Sequence, residues 1–245
     1  MLVLAEINRI VELAKQAGKI IMSHYNTNMA TDFKDDDSPV TIADHQANEL
    51  IVKGLAESFP HIPIISEEGA KESAGASTFF LVDPLDGTKE FIKGTGYFTV
   101  NIGLIANYRA YMGVIYAPTT GNCYYSDGKS SFKDGKEIKC RKAPDDGLVV
   151  VASKSHRTKE TDDFINSLNV KELINAGSSL KLCLIAEGKA DVYPRFGRTM
   201  EWDTAAGHAI INSAGGTLTH PNGSEFLYAK NPIWENGYFI GRGIN

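Results

Sequence analysis

Phe79-Phe80-Leu81-Val82-Asp83-Pro84-Leu85-Asp86-Gly87-Thr88 is the stretch on which the reading of this chain turns. Four consecutive apolar residues make a strand, and two carboxylates follow it with a proline between them. Pro84 stiffens the bend, so Asp83 and Asp86 are expected to emerge at the strand's end and aim at one spot. Magnesium takes hard oxygen ligands in near-octahedral order, and the carbonyl of Leu85 would extend a set begun by the two aspartates. Gly87 lets the backbone approach closely. If Thr88 to Phe91 opens a helical turn, its unpaired N–H groups face the same spot, where a phosphate would be held. Asp-Pro and Asp-Gly are also common turn dipeptides, so the hexapeptide alone fits a plain surface turn equally well.

Four further acidic residues bear on that choice. Glu67 and Glu68 in SEEG, residues 66–69, follow the short apolar run Ile62 to Ile65, and neighbouring like charges call for either solvent or a cation. Asp203 stands between Trp202 and Ala205-Ala206-Gly207, where it would cap a small-residue helix or serve as a ligand. Asp44, after Thr41-Ile42-Ala43, offers the same alternatives.

Around these motifs the chain alternates helices and strands. Apolar residues from Leu4 to Met22 recur at helical spacing, with Glu6, Arg9, Lys15 and Lys19 opposite. A second helix is predicted over Ala43 to Phe59, after the Ser38-Pro39 turn. Ile62–Ser66, Thr78–Val82, Thr99–Ala106, Met112–Ala117 and Asn122–Ser126 read as strands of a largely antiparallel sheet. The Lys-, Asp- and Gly-rich segment 127–147 then separates them from a fresh strand, Leu148–Ala152. Beyond it, helices are expected over Thr161–Ser167, Ser179–Glu187 and Thr204–Ala214, with a strand over Ala190–Pro194. These elements divide the chain into 1–146, carrying most of the acidic motifs, and 147–245, with a ligand cleft between two packed layer systems.

Composition narrows the function classes. A 245-residue chain that is 42% hydrophobic and 22% charged folds into an ordinary globular core. A net charge of -5, with no basic run, argues against polymeric nucleic acid as a partner. The N-terminal segment is too short in apolar residues and too charged for a signal peptide or a membrane span. Cys123, Cys140 and Cys183 are odd in number and lack metal-ligand spacing, which points to reduced thiols in the cytoplasm.

Together the motifs SPVTIAD at 38–44, SEEG at 66–69, DPLDGTKEFI at 83–92, FTVNIGLI at 98–105 and the run from GSSLK to WDTAAG between 177 and 207 resemble the inositol monophosphatase superfamily of lithium-sensitive phosphatases. KEF after DGT, SHR at 155–157 and GSSLK resemble its CysQ-type 3'(2'),5'-bisphosphate nucleotidase branch. The resemblance implies an α/β fold of α+β character, a two-domain layered αβαβα sandwich of the inositol monophosphatase and fructose-1,6-bisphosphatase type. It implies that Glu67, Asp83, the Leu85 carbonyl, Asp86 and Asp203 bind two or three magnesium ions, with Glu68 behind them. Glu67, Thr88 and Asp44 would be catalytic, Thr88 orienting the attacking water with Asp44 in support. Gly87 and Thr88 would offer N–H groups to the scissile phosphate. His156, Ser178, Lys181, Arg195 and Asp203 match positions around the rest of the substrate, although taken singly His156 and Arg195 also read as surface residues, Ser178 as a helix cap and Lys181 as an exposed helix charge. Tyr193 and Phe196 would wall a base, although core packing suits either aromatic better. The implied reaction is hydrolysis of a small phosphomonoester, adenosine 3',5'-bisphosphate in sulfur metabolism. An inositol or sugar phosphatase is the rival within the class, and a non-catalytic phosphate-ligand-binding protein the rival outside it. Some relatives pair as homodimers and some sit peripherally at the inner membrane, so both are open for this chain; no membrane-binding stripe is visible in it.

Overall fold

The computed structural model describes residues 4–27, 31–33, 39–69, 75–153, 157–230 and 232–244. The described elements run α1 (Leu4–His24), β1 (Thr31–Phe33), β2 (Pro39–Thr41), α2 (Ile42–Ser58), β3 (Ile64–Ser66), β4 (Phe79–Asp86), α3 (Thr88–Ile92), β5 (Thr99–Ala106), β6 (Arg109–Ala117) and β7 (Asn122–Ser126). There follow β8 (Ser131–Lys133), β9 (Lys136–Ile138), β10 (Leu148–Ala152), α4 (Lys159–Asn166), β11 (Val170–Asn175), α5 (Leu180–Ala186), β12 (Val192–Arg195), α6 (Glu201–Ser213), β13 (Thr217–Thr219) and β14 (Phe239–Arg242).

Seven strands form one sheet in the order β3-β4-β5-β6-β7-β8-β9, antiparallel except for the β3–β4 pair. A five-stranded sheet has the order β11-β10-β12-β14-β13, with β10 parallel to both neighbours. Strand alternation divides the first sheet's side chains between two layers. Phe80, Val82, Val100, Ile102 and Val114 face α1 and α2, where Ile7, Ile10, Leu13, Ile51 and Leu55 are buried. Phe79, Leu81, Ile105 and Ile115 face the opposite way, into a core shared with α5, α6, Val149, Val151 and Tyr193. Val150, Val192 and Ile240 on the far face of the second sheet pack with Ile165 of α4. The layers are therefore α, β, α, β, α, the sandwich expected from the sequence. Both faces of β4 and β5 are covered, which is why these antiparallel strands carry near-continuous apolar runs.

The main helices and strands lie where the sequence placed them, with shifts at their ends. Segment 127–147 is more than a separator: it holds the β8–β9 hairpin that closes the first sheet's edge. The strand β11 escaped notice because VKELIN is mostly solvent-facing at a sheet edge and shows no apolar run. Among the described residues no helix is long and apolar enough to cross a membrane, and Cys123, Cys140 and Cys183 are buried and unpaired.

Candidate functional site

Sheet register brings the first two carboxylates together. Ser66 pairs in parallel with Val82, so the next residue on each strand, Glu67 and Asp83, leaves the pair on the same side and at the same level. Glu67 N donates to Val82 O at 3.1 Å and fixes that exit. Behind it Ser66 Oγ donates to Asn48 Oδ1 of α2 at 2.6 Å, and Asn48 Nδ2 donates to Glu68 O at 3.5 Å.

The sequence reading ended the strand at Val82 and placed Asp83 and Asp86 on a bend stiffened by Pro84. Pairing instead continues through the motif, and between Asp83↔Asn101 and Asp86↔Thr99 three steps on β4 match two on β5. The extra residue is a β-bulge. In a regular strand residues three apart point to opposite faces; the bulge restores Asp86 to the face of Asp83, the one toward α5 and α6. Pro84, which has no N–H to place in a ladder, sits in the bulge.

The third carboxylate arrives on α6. Gly103 and Gly113 are cross-strand partners on β5 and β6, and α6 lies directly on them. A Cβ at Gly103 would stand 2.6 Å from Ala205 Cβ, and one at Gly113 would stand 2.3 Å from Ala206 O. Only bare backbone permits that approach, which carries the first turn of α6 up to the ends of β3 and β4. There one oxygen each of Glu67, Asp83 and Asp203 lie within 4.8 Å of one another.

Asp203 was expected to cap a helix starting at Thr204. The helix begins earlier, at Glu201, and Asp203 caps it from inside the first turn, its Oδ2 accepting from Met200 N at 2.8 Å. Asp83 is 2% exposed, and its Oδ1 accepts from Leu85 N at 3.1 Å. Burial first, then the charges of Asp86 and Glu67, push the Asp203 carboxyl well above the usual carboxylate range. Three carboxylates in such a place ionise together only if a cation joins them. The donors are all hard oxygens, with no imidazole or thiolate among them, so the set fits a hard divalent cation.

Beside the triad Thr88 opens α3, and Gly87 before it has φ +95°, with Tyr97 O only 2.9 Å from where a Cβ would be. Thr88 Oγ1 lies 3.1 Å from Asp44 Oδ1 and 3.2 Å from Leu85 O, both acceptors. Asp44 is buried at the third position of α2. Its Oδ2 accepts from Thr41 N at 2.8 Å and Thr41 Oγ1 at 2.6 Å, closing a capping box. One oxygen of Asp44 thus caps α2 and the other accepts from Thr88. Burial raises its pKa above the ordinary aspartate value, and the bonds from Thr41 and Thr88 oppose that rise.

Asp86 is held differently. Its Oδ2 accepts from Ser178 Oγ at 2.5 Å, Ser179 N at 2.7 Å and Ser179 Oγ at 2.9 Å, with Asn101 Nδ2 at 3.3 Å. Lys181, read from sequence as either an exposed helix charge or a substrate contact, is buried in the first turn of α5. Its Nζ donates to Ser178 O and lies 5.3 Å from the Tyr193 ring centre, and burial lowers its pKa to about 8. Arg195 ends β12, its Nη2 donating to Arg198 O at 2.8 Å. Tyr193 belongs to the core, its ring edge-on to Phe239. Phe196 lies half-buried between Phe164 and Tyr238. His156 lies outside the described residues. Sequence reading missed Asn48, Asn101 and Ser179; the available signal was Asn101, a polar residue inside the apolar run FTVNIGLI.

The inositol monophosphatase family model matches residues 4–239. The chain belongs to the inositol monophosphatase family. This is a metal-dependent phosphatase family, in keeping with the acidic triad. Within the family, the chain is 40% identical over 242 residues to the 3'(2'),5'-bisphosphate nucleotidase CysQ of Escherichia coli K12, covering 95% of this chain and 98% of that protein. It is similar to the crystal structure of CysQ from Bacteroides thetaiotaomicron, with a TM-score of 0.86, 40% identity and 98% of each chain covered. An inositol monophosphatase of Thermotoga maritima superposes with a TM-score of 0.84 at 25% identity, covering 98% of this chain and 92% of that one. The backbone is thus shared by family members whose names carry different substrates.

Proposed function

We propose that this chain is a magnesium-dependent 3'(2'),5'-bisphosphate nucleotidase that hydrolyses adenosine 3',5'-bisphosphate to AMP and phosphate, working in the cytoplasm in sulfur metabolism. The convergence of Glu67, Asp83 and Asp203 beside the Thr88–Asp44 pair carries the phosphatase chemistry. The 40% identity to CysQ relatives over nearly the whole chain supports the substrate.

Glu67, Asp83, Asp86, Asp203 and the Leu85 carbonyl would hold two or three magnesium ions. Bound there, they supply positive charge against the phosphate oxygens and make a nearby water more acidic. Thr88 Oγ1, with its own proton on Asp44 Oδ1, turns a lone pair outward and orients the attacking water through that water's proton. As the new P–O bond forms the ester P–O bond breaks; the water gives its proton to Thr88 Oγ1 as Thr88 passes its own to ionised Asp44, and the ribose oxygen leaves with a proton from solvent. The N–H groups of Gly87 and Thr88 hold the scissile phosphate. Lys181 and Arg195, with His156, would face the rest of the nucleotide, Arg195 gripping the second phosphate. On this reading residues 1–146 supply most of the cation set, while 147–245 supply specificity and Asp203.

The test is phosphate release with magnesium from adenosine 3',5'-bisphosphate and from inositol 1-phosphate. Faster turnover of the bisphosphate is expected. Equal or faster release from inositol 1-phosphate would overturn the substrate, and no release from either would overturn the enzyme.

A further inference from the structure

Strand β5 carries two polar side chains, Thr99 and Asn101, that are completely buried in an otherwise apolar strand. Buried polar groups are expensive unless they are bonded, and these have a common purpose. Thr99 Oγ1 lies 2.9 Å from Asn101 Oδ1 and 2.5 Å from Ser178 Oγ. Asn101 Nδ2 donates to Ser179 Oγ at 2.8 Å and toward Asp86 Oδ2 at 3.3 Å. Ser179 Oγ is also 2.8 Å from Asp203 O, at the base of α6.

The segment 177–179 is shaped for this contact. Ser178 adopts φ +52°, a left-handed conformation that a serine rarely takes. Gly177 passes so close to β5's approach that a Cβ would stand 2.8 Å from Tyr97 Cβ and 3.1 Å from Tyr97 O. A strained residue persists only where surrounding contacts over-determine it. Here they do so by converging on one atom, Asp86 Oδ2.

We propose that Asn101, Ser178 and Ser179 are positioning residues that clamp Asp86 by Oδ2, so that Oδ1 is the atom it presents to the cation site. The inference rests on the metal-dependent reading above and gives Ser178 a role other than contacting substrate. It also makes one ligand of a site built mainly on the first sheet depend on a loop from the other half of the chain. Asp203 is tied to the same loop through its carbonyl, so the clamp sets the spacing between the two acids.

The experiment is calorimetric titration of the full chain with manganese, without substrate, for the wild type, Ser178→Ala and Asn101→Ser. Removal of a residue that orients a metal ligand lowers metal affinity by roughly 10- to 100-fold. We expect a loss of that order in S178A and a smaller one in N101S, whose bond to Asp86 is the longer. In turnover assays of both variants, kcat should recover as manganese is raised, with KM for the nucleotide unchanged. Manganese affinity equal to wild type in both variants would overturn the clamp. So would a KM for substrate that stays raised at saturating manganese in S178A, which would mark Ser178 as a substrate contact. Because the titration needs no substrate, failure of the nucleotidase reading leaves its outcome intact.

Discussion

Glu67, Asp83 and Asp203 are placed by backbone: two by the register of a parallel strand pair, one by a helix seated on bare glycines. Lys181 and Arg195 are placed by side-chain contacts on a seven-residue helix and at a strand end. The first arrangement hardly depends on what binds, since the carboxylates are adjacent because the sheet is paired. The second is a set of long cations whose positions answer to their neighbours. A family can therefore keep its chemistry on the carboxylate side while its substrate changes on the other, and substitutions should divide along the same line.

The largest effect is expected at the triad. Asp203→Asn should lower kcat by more than about 10³-fold, or upwards of ~4 kcal/mol at 1.36 kcal/mol per decade. The same change removes a buried carboxyl that, without metal, must either stay charged beside its neighbours or take up a proton on folding, so at neutral pH the metal-free protein should melt at a higher temperature than wild type. Lower activity without that gain would mean that burying this carboxyl costs nothing in the absence of metal.

Next comes the proton path. Thr88→Ala and Asp44→Asn should each slow turnover by about 10²- to 10³-fold, in the range of positioned proton-transfer groups. Ionised Asp44 is the acceptor that Thr88 needs, and burial raises its pKa, so protonation sets in at a higher pH than for a free aspartate. Activity should accordingly fall on acidification earlier than an ordinary carboxylate would dictate, and D44N should flatten that limb. A pH–kcat profile measured on both proteins checks this.

Gly113→Ala probes the backbone seat. The added Cβ meets Ala206 O at 2.3 Å, and overpacking of this kind costs about 1–3 kcal/mol. Because the strain lifts α6, activity should fall along with thermal stability, as Asp203 moves with the helix. Full activity in a destabilised G113A would show that Asp203 tolerates displacement.

The smallest effects are expected on the cation side. Arg195→Ala should raise KM for the bisphosphate roughly tenfold, about 1.4 kcal/mol, with kcat nearly unchanged. Lys181 is charged below its lowered pKa of about 8 and neutral above it, so KM for the bisphosphate should climb as pH passes through that value. A Lys181→Met variant should lose the climb.

Legibility in the sequence follows the same division. The layered fold could be read from FFLV, from the helical spacing of α1 and from the alternation of strands and helices. The acidic motifs could be read because carboxylates next to buried strands have few uses. The route of their convergence was hidden: nothing in DPLDGT distinguishes a strand end from a bulge, and only the pairing of Asp83 with Asn101 and Asp86 with Thr99 shows which occurred. Capping and a place in the site looked like alternatives for Asp44 and Asp203, yet the two oxygens of Asp44 have separate partners and Asp203 caps α6 while lying in the acidic cluster. On the cation side Lys181 looked surface-exposed because a lysine near a helix start usually is; its burial follows from the packing of α5 between the two sheets. Edge strands such as β11 and the β8–β9 hairpin carry no apolar signature and are defined by their neighbours.

The central claim is that acids far apart in sequence hold divalent ions against a phosphate ester. Crystals of the protein soaked in manganese and measured at an anomalous-scattering wavelength test it most directly. Anomalous density among Glu67, Asp83 and Asp203, extending to Asp86 Oδ1, is the predicted result. Manganese bound only elsewhere, in a protein that still releases phosphate in its presence, would contradict it.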